Sequence, residues 1–227
     1  MDILTLSKEE RSKYIDEFFD KTPYRHSKNP IAIFMMGLPA SGKSYIKKNK
    51  LENLIQNMVD RDIKINTFLN IDPDEFMQDI DGYTHTNVSK YHREGVILSN
   101  LAIDKIYDKS KQGTNLNFIY DATGRDWTGY RKNINKANKL GYITILVYVL
   151  ADKELVKKCA EKRSRKVPPN VINNINKRLQ NLRNNPKAPK KITKRENAKQ
   201  RSVFAVLSEL VNISHIFQNV PVCSEKP

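Results

Sequence analysis

The apolar run Ile31-Ala32-Ile33-Phe34-Met35-Met36 leads without a break into Gly37-Leu38-Pro39-Ala40-Ser41-Gly42-Lys43-Ser44. A short continuous apolar run suits a strand buried on both faces. The eight residues after it fit G-x-x-x-x-G-K-[ST], and a helical pattern then continues to about residue 58. Strand, glycine loop and helix in that order cradle phosphate groups. Gly37 and Gly42 permit the backbone angles that aim successive N–H groups inward, past Ser41. Lys43 is expected to bridge the β- and γ-phosphates of a nucleotide, and Ser44 to ligate Mg²⁺.

The rest of the chain alternates in the same way. Residues 3–20 have helical apolar spacing, and 21–30 (KTPYRHSKNP) are a polar connector. Ile65–Ile71 reads as a second strand ending at Asp72-Pro73-Asp74. Residues 88–110 read as a helix, and Leu116–Tyr120 as a third strand ending at Asp121. Trp127–Leu140 is helical, and Tyr142–Leu150 (YITILVYVL) reads as a central strand. Helices are expected over 152–163 and 170–184, then a helix and a last strand, His215–Val220, within 202–220. Strands alternating with helices predict an α/β protein: a P-loop, three-layer α/β/α fold on a mainly parallel central sheet. The expected organisation is an N-terminal helical extension and connector (1–29) followed by one catalytic domain (30–220).

Composition narrows the setting. Two cysteines, Cys159 and Cys223, make no disulfide scaffold and fit a reducing compartment. The longest apolar run is about half of what a membrane span needs. The N-terminus has neither a signal-peptide nor a transit-peptide pattern. The expectation is a cytoplasmic protein, with KKITKR (190–195) as a weak nuclear address. The net charge is +15, and +14 of it falls between Lys157 and Arg201. That clustering is either a solvated helix face or an anion-binding surface for substrate phosphates or nucleic acid. No aromatic residue lies between Cys159 and Gln200 to stack on bases, which weighs against a single-strand binder.

Motifs narrow the reaction. Asp121 ends an apolar strand, the position of a metal-associated second acid. Ala122 follows it, where a motor ATPase has a glutamate to polarise water. A guanine-reading T/N-K-x-D is absent, since Asn135-Lys136-Ala137-Asn138 ends in the wrong residue. A kinase remains. Its acceptor hydroxyl needs a base, and Asp72 and Asp74 lie at a strand end where ligands gather in α/β sheets. Asp74 is the preferred base, with Asp72 as a candidate on the substrate side or as a helix cap. Arg125, after Thr123-Gly124, is placed to clamp a substrate phosphate. Arg163 and Arg165 are candidates for lid arginines that gather charge on the γ-phosphoryl oxygens.

Taken together and in order, GLPASGKS, IDPDEF, YDATGR and GYITILVYVLADKELVKKCAEKRSRKVPP resemble the zeta-toxin family of P-loop kinases over about residues 30–185. The resemblance implies an ATP- and Mg²⁺-dependent phosphotransferase acting on a hydroxyl, that of UDP-N-acetylglucosamine in the bacterial toxins. It implies Lys43 and Ser44 at the phosphates and metal, Asp74 as the base, and Asp121 at the acidic strand end. It further implies Thr123 and Arg125 beside the substrate, Arg163 and Arg165 on ATP, and Glu94 as the acid of the substrate helix. An antitoxin-like partner is implied as well. The chain departs from the family pattern at Ala40, where a glycine is frequent, and at Asp121-Ala122-Thr123, where Glu-Gly-Thr is frequent. Two other functions compete on the same residues. One is a 5′-hydroxyl polynucleotide kinase with 157–201 tracking the strand. The other is a nucleotide-gated nucleic-acid or partner-binding protein with weak catalysis.

Overall fold

Ile31–Gly37 forms strand β1, and all seven of its residues are buried. The computed structural model describes residues 3–22, 24–59, 63–162, 167–184 and 202–207. Four further strands lie beside β1: β2 (Leu69–Ile71), β3 (Phe118–Asp121), β4 (Ile143–Val149) and β5 (Ser202–Leu207). Their order is β2-β3-β1-β4-β5, and every pairing is parallel. This is the expected α/β layering. A central strand covered on both sides needs apolar residues at every position, which explains the unbroken IAIFMM run.

Alternate residues of β1 feed two cores, because successive side chains of a strand point to opposite faces. Ile31, Ile33 and Met35 pack with Ile46, Leu51 and Ile55 of helices α2 (Lys43–Asn49) and α3 (Leu51–Val59). Ala32, Phe34 and Met36 pack in a larger cluster on the other face. That cluster holds residues from α5 (Val88–Lys111), α6 (Trp127–Lys139), α7 (Lys153–Lys162) and α8 (Pro169–Asn184). The N-terminal helix α1 (Lys8–Lys21) sends Ile15 and Phe19 into the same cluster. It begins at Lys8 rather than at residue 3, because Ser7 and Glu10 form a reciprocal capping box.

The helix expected to continue to about residue 58 is broken at Lys50 into α2 and α3, and two further differences concern the sheet. Of Ile65–Ile71, only Leu69–Ile71 is strand, and Ile65–Thr67 is a 3₁₀ turn. The Thr67 N–H and hydroxyl both donate to the Lys64 carbonyl, and the Ile65 N–H donates to Glu52. These local bonds consume the groups that a longer β2 ladder would need. In the second case, Ser202–Leu207 is not helix but strand β5, paired along β4 from Thr144↔Ser202 to Val149↔Leu207. Its SVFAVL sequence is β-branched and apolar, and β4 offers it an edge to pair with. Arg163, Arg165, the 186–201 stretch and the expected strand at 215–220 lie outside the described residues.

The register of the sheet positions the site. Met35 pairs with Asp121, and Tyr120 pairs with Ile71. The C-terminal ends of β1, β3 and β2 therefore stand side by side. Each carries one of the motifs that the sequence singled out.

Candidate active site

The loop leaves β1 at Gly37, where no side chain fits. A Cβ there would sit 2.7 Å from the Val149 carbonyl oxygen and 3.0 Å from Ser41 Oγ. Ala40 (φ 62°) and Gly42 (φ 86°) both take left-handed backbone angles. The turn is closed by Ser41 N–H donating to the Leu38 carbonyl at 3.1 Å. Ser41 is buried, and its Oγ has no hydrogen-bond partner among the described residues. An orphaned buried hydroxyl is costly unless something supplies an acceptor or donor. Inside a glycine loop, a phosphate oxygen is the fitting partner. Lys43 Nζ lies 3.4 Å from the carbonyl oxygens of both Gly37 and Leu38, folded over the loop. An anionic oxygen would hold that ammonium more strongly than two neutral carbonyls. Ser44, in the first turn of α2, is exposed.

The second strand end is tied to the loop through backbone bonds. Ala122 N–H donates to the Met35 carbonyl and Gly37 N–H to the Thr123 carbonyl, both at 3.3 Å. Gly124 (φ 73°) turns so close under Met36 that a Cβ would sit 2.7 Å from the methionine Cβ. Asp121 is thereby held beside the loop, 4% exposed. Arg125 is exposed, and its N–H donates to Thr123 Oγ1 at 3.3 Å.

The third strand end carries the acids. Asp72 caps the short helix α4 (Pro73–Gln78), its carboxylate accepting from Asp74 N–H at 2.9 Å, with Pro73 at the first helical position. The capping role thus falls on Asp72, and Asp74 follows on the first turn, partly exposed. Burial pushes the Asp72 carboxyl up to about 7, helped by the negative charges of Asp121 and Asp74 and opposed by the Asp74 N–H and Lys47.

Lys47 was not singled out in the sequence, although it lies one helical turn beyond Lys43. Its Nζ is 3.0 Å from Asp121 Oδ2 and 3.0 Å from Asn70 Oδ1. Burial opposes its charge. The carboxylates of Asp121, Asp72 and Glu75 outweigh burial and raise its pKa. Glu94 is placed differently from the other candidates. It is fully buried in α5, and its two oxygens accept from Arg11 Nε and Nη2, each at 2.8 Å.

Oxygen donors suit Mg²⁺, which commonly binds through one or two carboxylates and the phosphates of a substrate. Ser44 and Asp121 provide that kind of donor set. Among the described residues, no cluster of three or more His, Cys, Asp or Glu could hold a metal by itself.

Parallel sheet, glycine loop and acidic strand ends define a P-loop kinase fold. The model of the zeta toxin family matches residues 15–215, and the chain belongs to that family. No curated protein matches the sequence. Among solved structures, one from the PezAT chromosomal toxin–antitoxin system of Streptococcus pneumoniae is similar, with a TM-score of 0.57 and 16% identity. That match covers 80% of this chain and 75% of the other. AvrRxo1-ORF1 in complex with AvrRxo1-ORF2 and sulphate ions matches with a TM-score of 0.55 and 14% identity, over 75% of this chain and 54% of that one. The native form of the same complex gives 0.52 at 15% identity, over 72% and 53%. At these identities the likeness is one of fold. Among the described residues, no helix is long and apolar enough to cross a membrane.

Proposed function

We propose that the protein transfers the γ-phosphoryl group of ATP to a hydroxyl of a small phosphorylated acceptor of the nucleotide-sugar type, UDP-N-acetylglucosamine being the model. The orphaned Ser41 hydroxyl in the loop carries this reading, because a phosphate is the partner that the loop lacks. Lys43 leaves the loop carbonyls for the β- and γ-phosphates, and the amides between Gly37 and Gly42 hold their oxygens. Ser44 and Asp121 would hold Mg²⁺, which would offset charge on the phosphate oxygens. The acceptor oxygen forms a bond to the γ-phosphorus as the bond to the bridging oxygen breaks, and ADP leaves. The hydroxyl proton goes to the Asp74 carboxylate. Thr123 and Arg125 stand beside the acceptor, and Arg163 and Arg165 gather charge on the transferred group. Asp72 shapes the acceptor side through its cap. Glu94, gripped by Arg11, supports that side from behind. A protein partner of antitoxin type belongs to the same proposal, since the PezAT neighbour comes from a toxin–antitoxin system.

The experiment is a mass-resolved search of nucleotide-sugars and hydroxyl-terminated oligonucleotides for an ATP-dependent gain of one phosphate. Wild type should modify a nucleotide-sugar, with Lys43→Ala and Asp74→Ala each reduced at least ~100-fold. Modification of oligonucleotide 5′-hydroxyls alone would move the acceptor to nucleic acid. No transfer to any hydroxyl would end the kinase reading.

A further inference from the structure

Helix α2 brings two ammonium groups to the strand ends. Lys43 reaches over the loop, and Lys47, one turn on, reaches the acids. Lys47 spans two neighbouring strands, touching Asn70 of β2 and Asp121 of β3 at 3.0 Å each. Asn70 in turn donates to Glu75 Oε2 at 2.5 Å, and the charges of Asp72 and Glu75 also act on Lys47. One ammonium, 19% exposed, therefore pairs with the buried Asp121 carboxylate and feels the nearby acids Asp72 and Glu75, beside the place where a triphosphate would lie. Without it, the phosphates would approach an Asp121 carboxylate stripped of its counter-charge, and burial there makes the repulsion several times stronger than in water.

On the phosphotransfer reading above, we propose that Lys47 is a positioning residue of the nucleotide site: its ammonium is the standing counter-charge on Asp121. It holds the β2 and β3 ends together and lets the triphosphate enter before any metal charge is in place. A plain structural tie between α2 and the sheet would use the same ion pair. The two roles differ in how they respond to Mg²⁺, because an arriving metal ion brings counter-charge of its own and a tie does not care where the charge comes from.

The test is calorimetric titration of the full chain with ATP, once with excess Mg²⁺ and once with EDTA, for wild type, Lys47→Met, Lys47→Gln and Lys47→Arg. The neutral variants should lose at least ~10-fold in affinity for metal-free ATP and distinctly less for Mg·ATP, and the arginine variant should recover most of the loss. Should the methionine variant not fold, the glutamine and arginine variants decide. An equal loss under both conditions, or no loss, overturns the proposal and leaves the kinase reading standing. Failure of wild type to bind ATP at all overturns both.

Discussion

Arg11 grips both carboxylate oxygens of the fully buried Glu94 at 2.8 Å, joining the first turn of α1 to α5. Bidentate arginine–carboxylate pairs are geometrically strict, and a buried carboxylate has no water to fall back on. The N-terminal helix is further attached by the Asp81 N–H donating to Tyr14 Oη and by the Phe18 ring, tilted 46° against Phe76 of α4 at 4.9 Å. Arg11→Ala should therefore destabilise the fold by about 3 kcal/mol. The double variant Arg11→Ala/Glu94→Gln should recover part of that loss, because no unpaired charge is then buried. Urea unfolding of the three proteins measures it. A wild-type midpoint for Arg11→Ala would mean that the pair contributes nothing.

The residue after Glu94 presses on the acid turn. A Cβ at Gly95 would lie 2.4 Å from the Pro73 carbonyl oxygen and 3.0 Å from Met77 Cβ. Backbone cannot yield as a flexible side-chain tip does, so α5 and α4 must separate. Gly95→Ala should lower stability by about 2 kcal/mol and move the turn between Asp72 and Asp74. Thermal melting checks the first effect, and the phosphotransfer rate of the folded fraction the second. Unaltered melting and rate would show that the two helices have slack.

Ala40 pays for its place in the loop with a left-handed φ of 62°. The Cβ–carbonyl crowding of that region costs an L-residue about 1 kcal/mol, and glycine escapes it. Ala40→Gly should raise stability by up to about 1 kcal/mol in the nucleotide-free protein, since relief of the crowding competes with glycine's extra chain entropy. Differential scanning calorimetry reads the change. A drop in melting temperature would show that the entropy outweighs the strain.

Asp72 gives the protein a pH signature. Its carboxyl is raised from an ordinary 3.8 to about 7, first by burial and then by the neighbouring acids. Below the unfolded value both states are protonated and there is no penalty. As pH climbs toward 7 the unfolded chain releases a proton that the folded chain keeps, so stability falls, levelling off above the folded value. A rise from 3.8 to about 7 sets an upper limit of about 4 kcal/mol on this loss. Asp72→Asn keeps a capping side chain and removes the titration. Its stability relative to wild type should therefore improve between pH 4.5 and pH 7.5 in parallel denaturant titrations. A difference that stays constant with pH would count against the buried acid.

Much of this was written locally. The run from Ile31 to Met36 marks a central strand because only a strand covered on both faces can be apolar at every position. Gly37 and Gly42 mark the loop because they answer to local backbone angles, and Lys43 and Ser44 because they follow at the start of the helix with the side chains a phosphate needs. The Asp72-Pro73-Asp74 turn and the strand end at Asp121 were legible for the same reason. The late start of β2 at Leu69 and the strand at Ser202–Leu207 were not. Whether a segment joins a ladder depends on which edge is free beside it, and that is a property of the assembled sheet. The same holds for charge. Nothing near Arg11 in the sequence announces Glu94, 83 residues away, and nothing near Lys47 announces Asp121. Helical and strand periods are set by neighbours along the chain. Counter-charges, desolvation and the raised Asp72 carboxyl are set by distances through space, which exist only once the sheet has brought three strand ends together.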